Sequence, residues 1–299
     1  MYLNNQQKVI DDIEIILEKK GFNFLLDNLV HHKILNFLIE DKTIFLFLSK
    51  RLEGSQFDTL LFLNKVTMLR NSILKKELEK LSKEELDFIV YKGFVANFNF
   101  YSKSGLRVMN DIDLFIDRAD REKINALLNN LGYKYGFLDE SGHLIEITDE
   151  RHEKEKSFYK QHVITFEGDY IENTFSKTNL FIKDNKTIVF YSEIEVITEI
   201  IEKEQTYGKS DFIPCKYYLK DMKYMGISPA DVIYFTTLKF ENDYSSRKHS
   251  WAYIYEITET MRNSRVSFDE MENIFSARNT REAWQFVRKY VTEFRGEGD

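Results

Sequence analysis

The chain has 299 residues, 43% of them hydrophobic and 30% charged, with a formal net charge of −7. That length and apolar content suffice for a sizeable core shared among two or three packed regions, whereas the acidic balance argues against a protein that coats a nucleic-acid backbone through clustered Lys and Arg. No apolar stretch is long enough to cross a bilayer, and Met1-Tyr2-Leu3-Asn4-Asn5-Gln6-Gln7 lacks the charged and apolar segments of a signal peptide, so a cytoplasmic location is expected.

Residues 1–80 carry apolar side chains at helical spacing, first Val9, Ile10, Ile13, Ile16 and Leu17, later Leu60, Leu61, Leu63, Val66, Leu69, Ile73 and Leu74. This predicts a helical N-terminal domain. His31 and His32 are adjacent, leave a helix on different sides and make no metal pair.

From 81 to 200 the pattern is mixed. Asp87 to Tyr91 reads as a short buried strand ending at Lys92-Gly93; Phe94 to Tyr101 can form a helix before the Ser102-Lys103-Ser104-Gly105 turn. A glycine at a strand-to-helix corner lets main-chain amides approach a phosphate, and Lys92 and Arg107 add positive charge on either side. Next comes Asp111-Ile112-Asp113-Leu114-Phe115-Ile116-Asp117, an alternating strand in which Asp111 and Asp113 leave one face while Ile112, Leu114 and Ile116 anchor the other. Two oxygen ligands on one rigid strand suit Mg²⁺ ions that also hold a triphosphate, the arrangement of in-line nucleotidyl transfer. Asp117, beside Arg118, is expected to cap the following helix, about 119–131, or to pair with a cation.

Strand-like runs follow at 144–147, 162–166, 170–175 and 187–190. A third carboxylate should complete the metal set, since such an ion is usually held from more than one strand. Of Glu146, Glu167, Asp169 and Glu172, the preferred residue is Glu172, in an alternating segment after the Gly168-Asp169 turn, with Glu146 next on the same alternation. From 192 helical periodicity is read again, through Ile194, Val196, Ile197, Ile200 and Ile201, then Val232 to Phe240, Tyr253 to Met261 and Trp284 to Tyr290. Residues 201–299 are thus expected to form a helical C-terminal domain around a core at 81–200. Lys239 and, just after an expected helix break, Arg247 and Lys248 beside His249 offer a lysine or arginine that could reach the β- and γ-phosphates; the alternative for each is a helix-end cation that complements the dipole without a ligand. The single cysteine, Cys215, has no partner for an internal disulfide and no nearby His, and reads as structural.

The order Lys92-Gly93, helix, Arg107, Asp111-Ile112-Asp113-Leu114 resembles the bacterial "uncharacterised nucleotidyltransferase" family of the polymerase-beta-like superfamily. The likeness spans roughly 80–290; Leu131-Gly132-Tyr133 closes the helix after the acidic strand, and Ser228-Pro229-Ala230-Asp231-Val232-Ile233 continues it more loosely. Where the commoner superfamily signature opens with Gly-Ser, this chain has Lys92-Gly93. The resemblance implies an α+β fold, a small mixed-sheet core flanked by N- and C-terminal helical regions. It implies transfer of a nucleoside monophosphate from an NTP, ATP first among them, with release of pyrophosphate. Asp111, Asp113 and Glu172 would be catalytic and hold Mg²⁺ or Mn²⁺, Glu172 matching the family's acidic residue on the strand after the insertion, while Lys92, Gly93, Arg107 and Lys239 would bind nucleotide. The acceptor is a small molecule, a natural-product peptide or a protein, with nucleic acid disfavoured by charge; it is expected in a cleft between the core and its flanking helices, whose apolar faces also allow an oligomer. The competing reading is a non-catalytic nucleotide-binding or antitoxin-type regulatory protein on the same fold.

Overall fold

The computed structural model describes residues 6–101, 105–139, 143–147, 157–165, 180–184, 187–202, 205–220, 222–246 and 250–295. Five helices open the chain: α1 (Gln6–Lys20), α2 (Phe22–His31), α3 (Leu35–Glu40), α4 (Lys42–Arg51) and the long α5 (Gly54–Leu81). Then come β1 (Phe88–Tyr91), α6 (Gly93–Asn99), β2 (Asp111–Ile116), α7 (Arg121–Asn130), β3 (Lys134–Leu138), β4 (Leu144–Glu146), β5 (Ser157–Thr165), β6 (Leu180–Asp184) and β7 (Thr187–Ile197). After β8 (Ile200–Glu202), β9 (Gln205–Tyr207), β10 (Pro214–Leu219) and β11 (Met222–Ile227), the chain ends in α8 (Pro229–Ser245), α9 (Ala252–Ser264), α10 (Phe268–Ala277) and α11 (Arg281–Arg295). The fold is α+β.

Two compact units share the chain, each assembled from separated segments. One comprises Met1–Asn71, Val95–Val108 and Ile227–Asp299; the other comprises Ser72–Phe94 and Met109–Gly226. The first is helical. Its helices start where side chains satisfy free amides: Asp41 accepts from the N–H groups of Thr43 and Ile44, Ser228 caps α8 just before Pro229, and Ser267 caps α10. Its core is apolar and aromatic, with Leu25, Leu38, Leu48, Val66, Tyr234 and Phe240 buried and Phe275 stacked on Trp284 at 5.3 Å.

The second unit is built on a sheet of nine described strands in the order β10-β11-β1-β2-β7-β5-β3-β4, with β6 also paired to β7. Strand β2 lies at its centre, antiparallel to β1 and parallel to β7. Ile112, Leu114 and Ile116 are buried as their alternation predicts, and Phe115, on the acidic face, packs with Tyr91 and Phe212 at ring separations of 6.2 and 4.8 Å. The opposite face carries a bonded polar chain. His162 Nε2 lies 2.8 Å from Ser192 Oγ, Ser192 donates to Tyr133 Oη, and Tyr133 donates to Glu77, which also takes Lys160 and Lys80. Burial of Glu77 opposes its ionisation, but its two lysines outweigh that and hold the carboxyl below the usual range.

Residues 192–201 correct the sequence reading. The run is strand, carried by β7 and β8, and strands β10 and β11 follow before helix returns. Ile194, Val196, Ile197, Ile200 and Ile201 satisfy a helical spacing, but all are β-branched, and Ile194 and Val196 equally satisfy period two against Glu193 and Glu195. Pairing with β2 and β5 decides the outcome.

Candidate functional site

The register of three neighbouring strands builds the site. Tyr91 is paired with Asp113 across β1 and β2, and the parallel pairing of β2 with β7 sets Asp111 beside Glu193 and Asp113 beside Glu195. Paired residues present their side chains to the same face. Four carboxylates therefore share one patch of the sheet. Asp113 is buried and hydrogen-bonded to Glu195. Burial, reinforced by the charge of Asp111 and by Glu195, pushes its carboxyl well above the usual carboxylate range, and Lys92 pulls the other way. The contact with Glu195 thus favours the neutral form of Asp113, in which its hydroxyl can donate where two charged oxygens would repel.

Glu193 is fixed differently. Tyr159 donates its hydroxyl at 3.0 Å and Ser157 adds a second bond; burial and the charge of Asp111 raise the Glu193 carboxyl above its ordinary range.

Lys92 occupies the corner between β1 and α6 in the left-handed region, with φ 52°, a conformation that costs a side-chain-bearing residue about 1–2 kcal/mol. The turn carries the ammonium 4.6 Å above the Tyr91 ring, where its charge acts on Asp113. Gly93 opens α6 and does not take a positive φ; the unusual backbone falls on the lysine before it.

The other expected site residues are placed elsewhere. Arg107 lies in the helical unit, its main chain clasped by Asn97 and Asn71 at 2.7–3.1 Å, its guanidinium in a buried ion pair with Glu256 at 2.9 Å. Lys239, half-exposed on α8, pairs with Asp243 one turn on at 3.0 Å. Glu146 stands on β4, with β7, β5 and β3 between it and β2, and faces solvent beside Lys134. Asp117 receives Lys209 at 3.3 Å, the ion-pair alternative of the sequence reading. Glu172, with Glu167, Asp169, Arg247, Lys248 and His249, lies outside the described residues.

Glu193 and Glu195 were missed because their segment was read as helix. The signal was present: Tyr191-Ser192-Glu193-Ile194-Glu195-Val196 repeats the polar-apolar alternation of the Asp111–Asp113 strand. Among the described residues no group of three or more His, Cys, Asp or Glu side chains is placed to hold a metal ion. The donors themselves are of the type that a hard divalent ion takes, being all carboxylate oxygen and drawn from two neighbouring strands.

Beside Glu193 and Glu195 a cavity of about 520 Å³ opens, lined also by Arg121, Tyr135, Ser157, Tyr159 and Glu199. No helix among the described residues is long and apolar enough to cross a membrane.

A family model described as "Uncharacterised nucleotidyltransferase" matches residues 22–295. No curated protein matches the chain. Among solved structures, the lincosamide antibiotic adenylyltransferase LnuA, bound to lincomycin, is 14% identical over 64% of this chain and 94% of its own, with a TM-score of 0.35. An antigenic nucleotidyltransferase-like protein from Paracoccidioides brasiliensis is 14% identical over 76% of this chain and 88% of its own, with a TM-score of 0.41.

Proposed function

The chain belongs to the uncharacterised nucleotidyltransferase family, and from that premise we propose that it moves a nucleoside monophosphate from an NTP, ATP first among them, to a hydroxyl on an acceptor, releasing pyrophosphate. The observation that carries this reading is the register that sets Asp111 and Asp113 beside Glu193 and Glu195 on a parallel neighbour. Asp111 and Asp113 would hold Mg²⁺ or Mn²⁺, with Glu195 on β7 as the third carboxylate and Glu172 the alternative left from the sequence. The ion, when bound, supplies charge neutralisation at the transferring phosphoryl group.

The chain's own groups do the rest. Lys92 faces the acidic patch from the β1 corner and would accompany the triphosphate, with the first amides of α6 at Gly93 beside it. Arg107 and Lys239, held by Glu256 and Asp243, would have to exchange those partners to reach a phosphate, and Arg107 serves better by fixing the segment that leads into β2. An ionised Glu195 accepts the acceptor's proton as the new O–P bond forms and the bond to the pyrophosphate oxygen breaks. Calorimetric titration with ATP tests the reading: Mg²⁺-dependent binding in the parent and its loss in Asp111→Asn support it, and metal-independent binding that survives the substitution refutes it.

A further inference from the structure

The order β1-β2-β7-β5 lays the Lys92 corner, the aspartate pair, the two glutamates and then Tyr159 with Ser157 in one row across the sheet. Lys92 stands at the β1 end of this row, and the cavity lies at the other, around β7 and β5. A triphosphate, drawn to the cation, belongs on the first side. The space beyond the metal carboxylates is then left for whatever receives the nucleotide.

We infer that this cavity is the acceptor subsite and that it takes a small hydroxylated molecule carrying a protonated amine, an inference that rests on the transfer reading above. Size is the first argument, since about 520 Å³ falls within the roughly 300–1,000 Å³ of small-molecule sites. Charge is the second. Among the described residues that line the cavity, Glu193, Glu195 and Glu199 face a single cation, Arg121, and Arg118 reaches Glu199 only at 3.9 Å with both side chains in solvent. With Glu195 given to a metal ion, Glu193 and Glu199 still outnumber the arginine. Such a wall repels phosphates and carboxylates and favours ammonium groups. Chemistry is the third: Tyr135 and Tyr159 add aromatic side chains to the lining, the residue type that takes a cation or a sugar ring. A hydroxyl entering here arrives beside Glu195, the proposed base.

The test titrates the full-length protein by calorimetry with three probes: neamine, an amine-rich hydroxylated molecule; sucrose, neutral and hydroxylated; and glucose 6-phosphate, anionic. Neamine should bind the parent, sucrose more weakly, and glucose 6-phosphate not at all. Glu199→Lys should weaken neamine by about tenfold or more, whereas Glu18→Lys, the same charge change on the exposed face of α1, should not. Tyr135→Ala provides a second, uncharged probe of the wall, and MgATP affinity should be unchanged in all three variants. Absent neamine binding, equal weakening by Glu18→Lys and Glu199→Lys, or tighter binding of glucose 6-phosphate overturns the assignment. Failure of MgATP to bind the parent while neamine remains Glu199-dependent would sink the transfer reading alone.

Discussion

Asp113 and Glu195 stand opposite each other on neighbouring parallel strands, and their carboxyl groups are hydrogen-bonded. Like charges at that distance are tolerated only with a proton or a cation between them. The two states of the site, protonated and metal-loaded, are therefore mutually exclusive at this pair.

Asp113→Asn should leave the fold at least as stable as the parent, because a neutral amide keeps a hydrogen-bonding group beside Glu195 without the repulsion that an ionised Asp113 meets from Asp111 and Glu195. Transfer should fall by on the order of a hundredfold or more. Thermal unfolding and pyrophosphate release measure the two; a large drop in Tm would mean that Asp113 is chiefly a structural group.

Metal binding should release protons. The folded Asp113 keeps its proton to higher pH than the unfolded chain does, so its contribution to stability is complete below the ordinary carboxylate pKa and declines as pH rises through the raised value. Mg²⁺ affinity should rise over the same interval. Titrations in two buffers of different ionisation enthalpy count the protons, and a buffer-independent heat would contradict the carboxyl pair.

Lys92→Gly separates backbone from charge. Relief of the left-handed conformation should stabilise the protein by about 1 kcal/mol, while loss of the ammonium facing Asp113 should weaken MgATP by about tenfold or more. Lys92→Ala should show the second effect without the first. Denaturant melts and MgATP titrations on both variants decide it.

The polar chain on the other face of the sheet should behave in the opposite pH sense. The Glu77 carboxyl is held low, so its stabilisation is present above the ordinary glutamate pKa and is lost as pH falls through the depressed folded value. Glu77→Gln breaks the pairing with Lys160 and Lys80 and should cost about 2–4 kcal/mol near neutral pH. Urea titrations of the two proteins at several pH values should converge in acid.

Much of this arrangement was legible from local pattern. Alternation placed β2 and the aspartates, and the Lys92-Gly93 break marked the corner. What escaped was set by partners distant in sequence. Ile194 and Val196 fit either period until β2 and β5 claim their strand, so Glu193 and Glu195 could be read only by preferring the β-branched signal over helical spacing. Arg107 resembled a phosphate ligand because no local pattern announces Glu256. The left-handed lysine was hidden for a third reason, since the neighbouring glycine is the residue expected to take such a backbone.

Neither compact unit is written continuously in the chain: the sheet-bearing one is interrupted by Val95–Val108, and the helical one waits for Ile227–Asp299. During synthesis the sheet has all its strands before the last four helices exist, while α1 to α4 leave the ribosome without the segment that completes their unit. The unit to which the N-terminal helices belong therefore stays incomplete for most of translation. A C-terminal truncation thus removes part of the same unit as the first helices made, and leaves the sheet-bearing unit with its full set of segments.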